Sequence, residues 1–136
     1  MSVDRVFLDA NILFSIAYGS AGLGPLSELA HKGQCFLLAS GFVIEEARRN
    51  LEHSAQLSRL KTFLTHVQIV PEVDTTIPCP IELAEKDRPV LMAAICAKAD
   101  FLLTGDLHHF GKYLGQTIRG VRICMAREYL AKIQQP

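Results

Sequence analysis

The chain has 136 residues, of which 49% are hydrophobic, and its 14 basic residues balance its 14 acidic ones. This length is typical of one domain with its own core, so we treat residues 1–136 as a single domain. The neutral balance excludes the strongly basic composition that many nucleic-acid-binding domains have, so any RNA contact must come from a local basic patch or from bound metal ions.

The first half of the chain alternates short apolar runs with amphipathic segments. In chain order it predicts a strand at 5–8, a helix at 11–18, a helix at 25–33, a strand at 35–40, helical segments at 42–53 and 55–67, and a strand at 67–70.

The second half opens with a proline-marked loop and continues the alternation. It predicts an apolar helix at 87–99 with Asp87 as its N-cap, a strand at 100–106, a short helix or loop at 107–115, a strand at 121–125 and a closing helix at 126–135. This alternation is typical of a three-layer α/β/α domain whose central parallel sheet has about five strands.

Cysteines and hydropathy bear on the cellular context. The four cysteines, at positions 35, 79, 96 and 124, form no metal-binding pattern, which predicts buried free thiols. The longest uncharged stretch, Ala10 to Ser27, has glycines and a proline in its second half, "GSAGLGPLS", which predicts a loop there rather than a membrane span. No signal-peptide layout opens the chain. We therefore expect a cytoplasmic protein without a membrane segment.

Acidic residues follow several of the predicted strands. Asp9 follows the first strand, Asp106 follows the fourth, and Asp87 begins the helix that leads into the fourth. Glu45 and Glu46 lie in the second turn of the helix after the second strand. Because the carboxyl ends of parallel strands share one edge of a sheet, we expect these acids to converge there.

Converging carboxylates need a counter-charge. Two of them about 4 Å apart repel by about 4 kcal/mol at an effective dielectric near 20. Oxygen ligands favour Mg²⁺ or Mn²⁺ over zinc, and such an ion held by carboxylates suits the hydrolysis of phosphate esters.

Three segments together resemble the PIN-domain family, over roughly residues 5–125. They are "FLDANIL", an acid within "VIEEARRNL", and "KDRPVLMAAICAKADFLLTGD". This family comprises metal-dependent ribonucleases and includes the VapC-type toxins of toxin–antitoxin pairs. The resemblance implies an endoribonuclease that acts on RNA with Mg²⁺ or Mn²⁺, an antitoxin protein as a possible partner, and a homodimer.

The resemblance also implies roles for particular residues. Asp9 and Asp106 are the principal metal ligands, with Asp87 beside them. Asn11 orients the site by hydrogen bonding, and Thr104 does the same from the end of its strand.

A glutamate on the third helix completes the acidic set. The apolar stripe of this helix leaves Glu45 and Glu46 on either side of the polar face, and Val43 shifts the stripe toward Glu46. In the family pattern the acid stands five residues before the leucine that matches Leu51, which again is Glu46.

Several other polar residues near this edge stay open between substrate contact and ordinary solvated surface. They are Arg48, Arg49, Lys112 and Arg119. The adjacent His108 and His109 project in divergent directions, and the family's chemistry does not require them, so the predicted site leaves them out.

Competing functions remain open. Taken singly, Asp9 and Asp87 are plausible helix caps and Glu46 is plausible solvated surface. A PIN fold that binds RNA or protein without catalysis is the main alternative. A phosphoacceptor domain would need an adjacent acidic pair near the first strand, and a haloacid-type phosphatase would need a second aspartate where Asn11 stands.

Overall fold

The computed structural model describes residues 3–74 and 76–134 of the chain, so Gln135, the last residue of the predicted closing helix, lies outside the described residues. The strands are β1 (Asp4–Leu8), β2 (Cys35–Ser40), β3 (Val67–Val70), β4 (Phe101–Leu103), β5 (Thr117–Ile118) and β6 (Val121–Cys124). The helices are α1 (Ala10–Ala17), α2 (Gly24–His31), α3 (Gly41–Arg49), α4 (Ser54–Leu64), α5 (Arg88–Cys96), α6 (Leu107–Phe110) and α7 (Ala126–Gln134).

These strands form one sheet in the order β3-β2-β1-β4-β6-β5. Five of them are parallel, as the sequence predicts, while β5 pairs antiparallel with β6 and adds a short sixth strand at the edge. A two-residue turn joins β5 to β6, with positive φ at both Arg119 and Gly120. Such a turn matches the twist of a hairpin, which explains the unpredicted strand.

Helices cover both faces of the sheet. Val6, Phe7 and Leu8 in β1 are fully buried, and so are the side chains of the neighbouring β4. Since successive strand residues point to opposite faces, a continuous buried run means that both faces are covered. The predicted three-layer α/β/α architecture is therefore confirmed.

The third helix holds one of the predicted site residues, and its two ends fix its position. At its start, the Ser40 hydroxyl at the end of β2 accepts a long 3.5 Å hydrogen bond from the Val43 backbone. At its end, the Asn50 side chain donates to the Glu46 carbonyl at 2.9 Å. The chain then leaves the helix before α4 begins at Ser54. The helical segments at 42–53 and 55–67 are thus both shorter than predicted.

Two expectations from composition can be compared with the structure. Within the described residues, no helix combines the length and the apolar character needed to cross a bilayer. All four cysteines are free, but only Cys35 and Cys124 are buried. The prediction of buried thiols is wrong for Cys96, which is exposed at the end of α5, while Cys79 is partly exposed.

Candidate functional site

Asp9 lies where β1 passes into α1, at the carboxyl edge of the sheet, and is only 4% exposed. Its Oδ1 accepts a hydrogen bond from the Ala10 backbone at 2.7 Å. Its Oδ2 accepts from the Thr104 hydroxyl at 2.9 Å and from the Asn11 side chain at 3.2 Å. Because each carboxylate oxygen has two lone pairs, Oδ1 keeps one for a further ligand.

Burial raises the pKa of Asp9 from its ordinary 3.8 to about 6, although the hydrogen bonds from Thr104 and Ala10 act in the opposite direction. The negative charges of Glu46 and Asp87 raise it further. The ionised form of Asp9 is therefore costly in this position. A cation placed at the same edge would relieve that cost.

Asn11 and Thr104 connect Asp9 to the segment that follows β4. Thr104 is fully buried, and its hydroxyl accepts from the Asp106 backbone at 3.0 Å while donating to Asp9. The Asn11 side-chain oxygen accepts from the Gly105 backbone at 2.7 Å. These bonds fix the backbone of Asp106 relative to Asp9 across two neighbouring strands.

Asp106 caps the short helix α6. Its Oδ1 accepts from the His109 backbone at 3.1 Å, and its Oδ2 lies 2.6 Å from His109 Nδ1. Partial burial by itself raises the pKa of Asp106, but the side-chain and backbone hydrogen bonds from His109 outweigh it, so that the pKa lies below its usual value. Asp106 is therefore a carboxylate at neutral pH.

Asp87 stands at the N-cap position of α5, as predicted, but its side chain makes no capping hydrogen bond. It is 6% exposed, and its Oδ2 is buried without a hydrogen-bond partner in the described part of the chain. That oxygen lies 3.3 Å from His109 Nδ1, which is closer to Asp106 Oδ2, at 2.6 Å. Burial raises the pKa of Asp87, His109 lowers it, and the Asp106 charge raises it again.

The two glutamates of α3 differ in their surroundings. Glu46 is half-buried and lines a surface cleft with Asn11 and Phe14, and its charge acts on Asp9. Glu45 is exposed and pairs with Arg48 at 3.3 Å on the outer face of the helix. The geometry thus favours Glu46 as the helix acid.

The donor atoms fit a divalent cation. One ligand atom each from Asp87, Asp106 and His109 lie within 4.8 Å of one another. Burying a carboxylate oxygen without a hydrogen-bond partner costs about 1–3 kcal/mol or more of folding free energy. A metal ion bound to that oxygen would offset this cost. Asp9 lies outside this group of three but is tied to it through Thr104.

His109 is the residue that the sequence reasoning left out. The side chains of His108 and His109 do point in different directions. His108 is exposed, whereas His109 contacts Asp106, the residue that caps the same helix. The sequence pattern that could have identified His109 is its spacing from Asp106. A histidine three residues after a helix-capping aspartate lies on the same face of the helix as that aspartate.

Asp9, Asp87 and Asp106 form an acidic rim at the carboxyl edge of a mostly parallel sheet that helices cover on both faces, which is an arrangement of α/β domains. The sequence profile of the PIN domain matches residues 5–108, so the chain belongs to the PIN domain family. Its structure is similar to a chain in the crystal structure of VapBC2 from Rickettsia felis bound to a promoter DNA fragment. The TM-score is 0.61 and the sequence identity is 17%. The match covers 88% of this chain and 96% of that chain. No curated protein sequence matches the chain significantly.

Proposed function

We propose that this PIN domain is an endoribonuclease that uses Mg²⁺ or Mn²⁺ to hydrolyse RNA phosphodiester bonds. The observation that carries the proposal is the buried Oδ2 of Asp87, which has no hydrogen-bond partner within residues 3–74 and 76–134 and lies beside the ionised Asp106. An acid at the N-cap position normally stabilises its helix by accepting a backbone hydrogen bond. Asp87 makes no such bond and is buried at a cost, so a purely structural role does not explain it.

Four acids supply the proposed ligands. Asp87 and Asp106 hold the ion, Asp9 offers the lone pair that Oδ1 retains, and Glu46 adds charge from α3. The chemistry that such an ion supplies when bound is polarisation of the phosphate and stabilisation of its developing negative charge.

The uncharged residues of the site act by positioning. The Thr104 hydroxyl and the Asn11 amide each bond to Asp9 and to the backbone after β4. Asp9 and Asp106 therefore keep their separation before substrate arrives, so no energy is spent on ordering them during the reaction. Catalysis on this reading involves no covalent intermediate with the protein.

Basic side chains lie next to the acidic rim. Arg88, His108 and Lys112 line a surface cleft whose wall also includes His109 and one acidic residue, Glu82. A flexible RNA backbone bound along this cleft would present a phosphate to the acids while neighbouring phosphates contact the basic side chains. Such a local basic patch would allow RNA binding although the chain as a whole has no net charge.

The test is cleavage of a mixed set of structured and single-stranded RNAs by the purified chain with Mg²⁺, Mn²⁺ or EDTA. The double variant Asp9→Asn/Asp106→Asn is the control. We expect metal-dependent cleavage by the wild type alone. Equal cleavage by both proteins would contradict the site assignment. If neither cleaves while metal binding persists, the non-catalytic binding role becomes the better description.

The biological role rests on similarity to VapBC2 and on the PIN domain family. We propose that the chain is a toxin whose partner is an antitoxin protein, that it forms a homodimer, and that it works in the cytoplasm. Induced expression in bacteria tests the first point, since growth arrest by the wild type and not by the double variant is expected. Light scattering of the purified chain tests the second.

A further inference from the structure

We propose that His109 is a direct ligand of the metal ion, through Nδ1, so that the site binds its ion with one imidazole nitrogen as well as carboxylates. This inference rests on the proposed function for the existence of the ion. It differs from the all-oxygen ligand set that the sequence predicts, and it changes which ion the site prefers.

Position is the first argument. His109 Nδ1 lies 2.6 Å from Asp106 Oδ2 and 3.3 Å from Asp87 Oδ2. Neighbouring ligands of an octahedral ion with bonds of about 2.1 Å are about 3.0 Å apart. The two observed separations lie on either side of that value. Movements of a few tenths of an ångström therefore bring His109 Nδ1 to ligand spacing from each of the two carboxylate oxygens.

Hydrogen bonding is the second argument, and it is independent of distance. One Nδ1 proton can serve only one carboxylate, and the contact of Nδ1 with Asp106 Oδ2, at 2.6 Å, is the shorter of the two. Asp87 Oδ2, on a side chain that is 9% exposed, has no hydrogen-bond partner among the described residues. A cation bound at Nδ1, with the single proton of the neutral imidazole carried on Nε2, meets the lone pair of His109 and both carboxylates at once.

The main chain holds His109 ready for this role. Its backbone N–H donates to Asp106 Oδ1 at 3.1 Å, so one aspartate fixes both the backbone and the ring of the histidine. The neighbouring His108 packs edge-on against this ring, with centroids 4.8 Å apart, but is itself exposed. Only His109 of this pair faces the carboxylates.

The consequence is a preference among ions. Imidazole nitrogen binds Mn²⁺ and later transition metals better than Mg²⁺, which strongly prefers oxygen. We therefore expect the site to select Mn²⁺ over Mg²⁺, and this selectivity to depend on His109.

The experiment uses the full chain and Mn²⁺ as its own spectroscopic probe. Electron paramagnetic resonance measures the affinity, and pulsed measurements detect ¹⁴N coupling to the bound ion. Wild type is compared with His109→Gln and His109→Asn, and His108→Gln is the matched control. We expect ¹⁴N coupling in the wild type and in His108→Gln, its loss in both His109 variants, and an affinity for Mn²⁺ that falls about tenfold or more. The affinity for Mg²⁺, measured by competition, should fall less.

The outcomes separate this inference from the proposed function. Bound Mn²⁺ without ¹⁴N coupling in the wild type overturns the inference and leaves the nuclease intact. Tighter binding by the His109 variants also overturns it, because it shows that the histidine competes with the ion. Coupling without RNA cleavage supports the inference while contradicting the nuclease. Absence of any Mn²⁺ binding overturns both.

Discussion

Thr104 and Asp9 lie 95 residues apart in the chain, yet the Thr104 hydroxyl donates to Asp9 Oδ2 at 2.9 Å across the carboxyl ends of two neighbouring strands. The same hydroxyl accepts from the Asp106 backbone. One buried oxygen atom therefore links the two acids that end β1 and β4.

Replacing this hydroxyl tests the link. We expect Thr104→Val to lower the free energy of unfolding by about 1–3 kcal/mol, because it leaves the Asp106 N–H without its acceptor and removes one of the three donors to Asp9. RNA cleavage should fall with it. Thr104→Ser keeps the hydroxyl and should retain most of both properties. Denaturant unfolding in the presence of EDTA gives the comparison, and equal stability of the Val and Ser variants would show that the hydroxyl does not matter.

Neutralising Asp9 should stabilise the metal-free protein. At pH 7 the ionised Asp9 is disfavoured because burial raises its pKa to about 6. Asn resembles the protonated form, so Asp9→Asn should raise the free energy of unfolding by about 1–3 kcal/mol in EDTA while abolishing cleavage. The control is Glu45→Gln, which removes an exposed charge and should change stability by less than about 0.5 kcal/mol. A loss of stability in Asp9→Asn would instead assign Asp9 a structural capping role.

The same burial predicts the pH dependence of the metal-free protein. Since the pKa of Asp9 is about 6 in the folded state and ordinarily 3.8, folding is favoured by protonation, and this contribution is lost as pH rises through 6. Asp87 shifts in the same direction. We expect the free energy of unfolding to fall by up to about 3 kcal/mol between pH 4 and pH 7. Asp106 acts oppositely, because its pKa is lowered, but its stabilising contribution is lost only at lower pH.

Urea titrations across this pH range, in EDTA, measure the effect. The Asp9→Asn variant should show a much flatter profile than the wild type, since the main titrating group is gone. A wild-type stability that rises steadily from pH 4 to pH 7 would contradict the burial argument.

The two neighbouring glutamates of α3 form a matched pair for mutagenesis. Glu46→Gln should reduce metal-dependent cleavage by about tenfold or more, because Glu46 adds negative charge at Asp9 and lines the adjoining cleft. Glu45→Gln should leave cleavage unchanged, since Glu45 is exposed and faces Arg48. The measurement is the initial rate of cleavage at several Mn²⁺ concentrations. The reverse ranking would move the helix acid to Glu45.

Lys112 provides a test of the basic cleft. We expect Lys112→Ala to weaken RNA binding and to reduce the slope of log affinity against log salt by about one. Lys61→Ala removes an equally charged side chain from exposed α4 and should change neither quantity. Fluorescence anisotropy with labelled RNA, using the cleavage-deficient double variant as background, measures both. Identical slopes for the two lysine variants would remove Lys112 from the binding surface.

The sequence was sufficient for the positions of Asp9 and Asp106, because apolar runs identify strands and a parallel sheet brings their carboxyl ends to one edge. It was not sufficient for His109, whose contribution depends on the short helix α6 turning it back onto Asp106. The edge strand β5 was missed for a related reason. Its turn uses Arg119 in a positive-φ conformation, where Asn or Asp is the usual indicator.

The order of the strands in the sheet also determines at which point of translation the site can form. The strand that carries Asp9 is made first, but its neighbour β4 follows only after β2 and β3. Until residues 101–109 have left the ribosome, Asp9 has neither Thr104 nor Asp106 beside it. If the chain is the nuclease proposed above, the nascent chain is therefore inert toward RNA until β4 and α6 have been made, and a fragment that stops before β4 cannot cut the message that encodes it.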